Sequence, residues 1–85
     1  MNFKAEIDVM PLKELLDPQG KAVTNSMSNI GVAQISNVRI GKHISLDVEA
    51  DDESDAEKKV TLACEKLLSN PVMEYFIFEI SHRNH

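Results

Sequence analysis

Asn2-Phe3-Lys4-Ala5-Glu6-Ile7-Asp8-Val9-Met10 alternates apolar and polar residues without a break. A repeat of two is that of a β-strand, whose successive side chains point to opposite faces of the sheet. Phe3, Ala5, Ile7 and Val9 therefore share a buried face, and Lys4, Glu6 and Asp8 share a wet one. Pro11 ends the strand, because proline has no N–H to give to a ladder.

Leu12 to Leu16 reads as a connector, and Asp17-Pro18 as a helix start. The Asp side chain can accept from free backbone N–H groups, and proline at the first helical position loses no hydrogen bond. Val23, Met27 and Ile30 follow at helical spacing, and Gly31 suits a left-handed stop. The interior, Thr24 to Asn29, has weak helix propensity, so packing must hold this helix. Val38 and Ile40, then Ile44, Leu46 and Val48, alternate with polar residues on either side of Gly41-Lys42. That spacing predicts two short strands joined by a two-residue hairpin turn. A second helix starts at Asp51, Asp52 or Ser54, with acids in its first turn where the helix dipole favours them. Ala56, Val60, Ala63, Cys64, Leu67 and Leu68 form its apolar stripe, and Asn70-Pro71 stops it.

The last strand, Val72 to Ile80, breaks the alternation: Phe76, Phe78 and Ile80 face one way, Tyr75 and Ile77 the other. A strand apolar on both faces needs cover on both. The predicted order is β-α-β-β-α-β, an α+β fold of ferredoxin-like pattern. Two helices cover one face of an antiparallel sheet, and a second chain covers the other. The sheet thus assembles the protein into a dimer or tetramer, with Val72, Tyr75, Phe76, Ile77 and Phe78 as the self-association residues. Residues 1–80 make one domain, and 81–85 a polar tail.

With 85 residues, such a domain buries about two-thirds of its chain surface and gains from a partner. The formal net charge of -5 and the scattered Lys and Arg residues argue against nucleic-acid binding. Cys64 is the only cysteine, which excludes an internal disulfide and a CxxC metal site. No segment approaches the roughly 20 apolar residues of a membrane span. The expected compartment is the cytoplasm. Asp51, Asp52, Glu53 and Asp55 suggest a calcium loop, but Ala56 and Leu62 fall where an EF-hand needs its glycine and its bidentate glutamate. His82 and His85, with His43, lack the fixed geometry of a metal site when two of them lie in a tail. Cys64 on an apolar helix face behaves as a small hydrophobe. Phosphate-cradling loops are missing. No catalytic, cofactor or metal residues are expected.

Three stretches then carry a resemblance: Leu15-Leu16-Asp17-Pro18-Gln19-Gly20-Lys21-Ala22-Val23, Val38-Arg39-Ile40-Gly41-Lys42-His43-Ile44, and Cys64-Glu65-Lys66-Leu67-Leu68-Ser69-Asn70-Pro71-Val72-Met73-Glu74. Together with Val48 to Asp52 they resemble, in order and spacing, the PurS family of small subunits of phosphoribosylformylglycinamidine synthase. The resemblance implies a non-catalytic chain that bridges a large synthetase subunit and a glutaminase subunit. The partners use ATP, Mg and glutamine to turn formylglycinamide ribonucleotide into formylglycinamidine ribonucleotide. Asp17, Gln19, Arg39, Gly41, Lys42 and His43 are the matched residues expected at a partner contact. Arg39 and Lys42 stand out among them as exposed cations on a hairpin. The sequence departs from the family in the polar stretch Thr24 to Asn29, in Met10-Pro11-Leu12 and in the tail. A regulatory module of the same topology, binding a small molecule at a dimer interface, is the alternative.

Overall fold

A computed structural model describes residues 1–82 of the chain. The alternating N-terminal stretch is strand β1 (Asn2–Pro11), and it is the central one. β2 (Lys42–Glu49) and β3 (Glu74–His82) flank it, both antiparallel to it, in the order β2-β1-β3. Phe3, Ala5, Ile7 and Val9 are fully buried, as the period of two requires. The register pairs Asp8 with both His43 and Ile77, and Glu6 with both Ser45 and Glu79.

Helix α1 (Pro18–Ser26) tightens into a 3-10 turn (Met27–Ile30) and stops at Gly31, whose φ of 87° is left-handed. Helix α2 (Glu53–Ala63) runs into a π turn (Cys64–Leu68). Its cap is Asp52, which accepts from the Asp55 N–H at 2.8 Å, while the Asp55 carboxylate accepts from the Asp51 N–H at 3.1 Å. Asp52 thus satisfies the backbone donor of Asp55, and Asp55 in turn that of Asp51. Val60 of α2 and Cys64 of the π turn close the main core over β1, and Ala56 closes a smaller one with Phe3 and Ala50.

The α+β class, the antiparallel sheet and the two helices stand as expected, with corrections inside that frame. The hairpin about Gly41-Lys42 does not form. Residues 38–40 stay outside the sheet, because side chains of the α1 region take their backbone donors. Val38 N–H donates to Thr24 Oγ1 at 3.0 Å and Ile40 N–H to Asp17 Oδ2 at 2.8 Å. Gly41 serves another need: a Cβ there would lie 2.2 Å from the Val9 carbonyl oxygen, so only a bare backbone can pass β1 so closely.

Only α2 packs broadly on the strands; α1 packs mainly against its own 3-10 turn, buries Gly20 alone and leaves Ile30 74% exposed. Leu67 is turned outward, 81% exposed. A π turn carries about 4.4 residues, so Leu68 rather than Leu67 lines up with Cys64. Ser69 closes that turn by donating N–H and Oγ–H to the Cys64 carbonyl at 3.0 and 2.8 Å. Ser81 and His82 belong to β3, opposite Lys4 and Phe3, and the His82 ring lies 4.7 Å from that of Phe3. Of the expected tail, residues 83–85 lie outside the described residues.

Candidate functional site

The expected contact residues fall into two groups. The first is a knot where α1 begins. Asp17, nearly buried, caps α1 by accepting from Gly20 N–H at 3.0 Å, and its other oxygen holds Ile40. Those donors, Ile40 first and Gly20 next, hold its carboxyl below the usual carboxylate range, with the Arg39 charge assisting. Arg39 turns inward and donates to the carbonyls of Leu12 at 2.7 Å and Leu15 at 3.1 Å, with a longer approach to Pro11. The connector 12–16 is thereby tied to residues 38–40. The expectation of an exposed cation on a hairpin is corrected for Arg39, which is half-buried and employed within the fold. Gln19 is exposed in the first turn of α1. Around the knot lies a recess of about 480 Å³ lined by Leu16, Lys21 and Asn37 among others.

The second group opens β2. Lys42 is exposed. His43 lies on the sheet face away from α2 and bridges two acids of β1. Its Nδ1 is 2.7 Å from Asp8 Oδ1 and its Nε2 is 2.5 Å from Glu6 Oε2, while Ser45 donates to the other Glu6 oxygen at 3.1 Å. Asp8 first, then Glu6, raise the His43 imidazole above its ordinary value, and His43 holds the Glu6 carboxyl down. Glu6, Asp8 and Ser45 were not among the expected site residues. The charge of Glu6 and Asp8 on the wet face was visible in the alternation, but the register that sets Asp8 opposite His43 was not.

The expected self-association residues divide between the faces of the sheet. Tyr75 and Ile77 are exposed on the open face, Ile77 by 62%. Phe76 and Phe78 face the core beside α2, half-buried with ring centres 6.3 Å apart. Val72 stands out in the turn before β3.

Chemically these groups are occupied. Both His43 nitrogens and both Asp17 oxygens face partners. The Cys64 thiol is buried, and burial with the neighbouring Glu65 pushes its pKa up, away from the thiolate. Among the described residues, no group of three or more His, Cys, Asp and Glu is placed to hold a metal ion. No helix of the described residues is long and apolar enough to cross a membrane.

A family model described as PurS, phosphoribosylformylglycinamidine (FGAM) synthase, matches residues 4–82. The chain belongs to the PurS family. The PurS subunit of this synthase from Synechocystis is 39% identical over 80 residues, spanning 94% of this chain and 80% of that one. A crystal form of Bacillus subtilis PurS superposes with a TM-score of 0.85 at 35% identity, covering 94% of this chain and 99% of the other. A chain in the structure of PurLQS from Thermotoga maritima superposes with a TM-score of 0.86 at 33% identity, covering 95% and 99%. PurS chains therefore share this three-stranded arrangement, and one of them is found within an assembly.

Proposed function

We propose that this chain is the non-catalytic PurS subunit of FGAM synthase in purine biosynthesis, joining a synthetase subunit to a glutaminase subunit. The observation that carries this reading is the match of nearly the whole chain to PurS proteins, one of them a component of PurLQS. In that reaction glutamine supplies ammonia at one site, and ATP activates the amide oxygen of formylglycinamide ribonucleotide at another. The ammonia must cross without escaping to water. A subunit can serve this by fixing the distance and orientation of two sites and by closing an interface around the path. It needs no reacting group of its own. ATP, Mg and glutamine belong to the partners in this account, and the complex works in the cytoplasm.

Self-association belongs to the same proposal. The Cα radius of gyration is 16.6 Å, and the extents are 50 × 30 × 14 Å. A compact domain of this length has a radius near 12 Å. A slab so thin leaves Ile30 on the 3-10 turn after α1 and Ile77 on β3 without cover, which a second copy would provide as dimer or tetramer.

Multi-angle light scattering of the free chain, then of its mixture with the two large subunits, tests both parts. We expect more than one copy in the free form and one complex containing all three polypeptides. A monomer that co-elutes with neither subunit overturns the proposal. Tight calorimetric binding of an amino acid or purine nucleotide by the free chain would favour a regulatory module instead.

A further inference from the structure

The bridge made by His43 requires a particular protonation state. A neutral imidazole has one N–H and one lone pair, so it can donate to one carboxylate only; its second nitrogen would meet the next carboxylate lone pair to lone pair. Here both ring nitrogens lie within 2.7 Å of carboxylate oxygens on two different residues. With Glu6 and Asp8 ionised, only the imidazolium satisfies both contacts. It also reaches across from edge strand β2 to central strand β1, meeting the residue opposite it and the one two places along.

We propose that His43 is a proton-operated clip that fastens the edge strand β2 to β1 on the open face of the sheet. While His43 carries its second proton, it closes two charge-assisted bonds and neutralises one of two acids that stand two residues apart on β1. When the proton leaves, one bond becomes a repulsion, and Glu6 and Asp8 face each other's charge without a cation between them. The charged groups around the ring are Asp8 and Glu6 on β1, with Lys4 4.0 Å beyond Glu6, and Glu79 on β3 opposite Glu6. On β2 itself Asp47 lies further along the same face, opposite Lys4, while Lys42 alternates to the other face. Helix α2 lies across the sheet and presents no charge to the ring. The surroundings are thus net acidic, which favours the closed clip.

The sign follows from the shift. The folded His43 value lies above the unfolded one, so the clip's contribution is complete below an ordinary histidine's pKa and is lost as pH rises through the folded value. At the acid end Glu6, whose folded value lies below the unfolded one, sheds its share as pH falls through that folded value. The clip is therefore closed between the folded Glu6 value and the folded His43 value, and it opens as pH rises through the latter. Ile77, opposite Asp8 on the same face, borders the recess of about 320 Å³ beside the clip, so opening changes the charge next to an exposed apolar residue.

The test is nitrogen-15 NMR of the histidine rings in the full chain across pH, with amide hydrogen exchange of Ile44 to Leu46 corrected for its intrinsic pH dependence. The His43 ring should titrate above an ordinary histidine and show both nitrogens protonated below that point. Exchange protection of β2 should fall several-fold across the same titration. Asp8→Asn and Glu6→Gln should each lower the His43 titration without unfolding the sheet, and His43→Gln should remove the pH dependence of protection. A His43 ring that titrates at or below the ordinary value, or β2 protection that ignores its titration, overturns the clip.

Discussion

Gly20 sits where two requirements oppose each other. In an exposed helix, alanine is favoured over glycine by about 1 kcal/mol. Here a Cβ would stand 2.1 Å from the Val38 carbonyl oxygen and 2.7 Å from Asp17 Oδ2, so the chain crossing would have to open. Overpacking of this kind typically costs about 1–3 kcal/mol, and the backbone contact cannot be relieved by a rotamer change. We expect Gly20→Ala to lower the urea midpoint, and an unchanged or raised midpoint would remove the close crossing from the account. Asp17 next to it gives a pH prediction. Its folded pKa lies below the unfolded value of about 3.8, so its contribution is present above that value and lost as pH falls through the folded one. Asp17→Asn should therefore show a shallower loss of stability in acid than the parent chain, measured as urea midpoint against pH. Parallel curves would mean that the carboxylate carries no such linkage.

At the scale of elements, the π turn at the end of α2 decides which leucine matters. Leu68 packs on the core and Leu67 does not. Leu68→Ala should cost about 1–2 kcal/mol, less than a fully buried leucine. Leu67→Ala should stay within about 0.5 kcal/mol in the free chain. Equal costs would restore the regular helix that spacing alone implied. The same comparison shows what the sequence could reveal. β1, α1 with its Asp17 cap and Gly31 stop, and α2 with its acidic start were legible, because each rests on local spacing and local donors. The failed hairpin and the outward Leu67 rest on competitors remote in sequence or on one extra residue in a turn. Thr24 and Asp17 take the donors of Val38 and Ile40 from 14 and 23 residues away. Nothing in Val38 to Ile40 itself signals that capture. The His43 bridge was hidden for a related reason, since it depends on a strand register spanning 35 residues.

For the whole molecule, the flat and extended shape is the feature that a solitary chain explains least well. Burying a charge without a partner is costly, so Ile77→Asp on the open face should shift the free chain towards the monomer. An unchanged mass by light scattering would exclude that face from self-association. Phe76→Asp strikes the core beside α2 as well, and should lower stability along with association. Lys42 is exposed at the start of β2 and is not needed by any packing described above; Lys42→Glu should leave the fold intact and weaken assembly with the large subunits.

The central claim is that this chain supports a reaction whose chemistry lies elsewhere. The most direct measurement is glutamine-dependent formation of formylglycinamidine ribonucleotide by the synthetase and glutaminase subunits, with and without this chain. The account predicts that the chain alone neither hydrolyses glutamine nor consumes ATP, and that adding it restores synthesis from glutamine. Full glutamine-dependent synthesis in its absence would contradict the account.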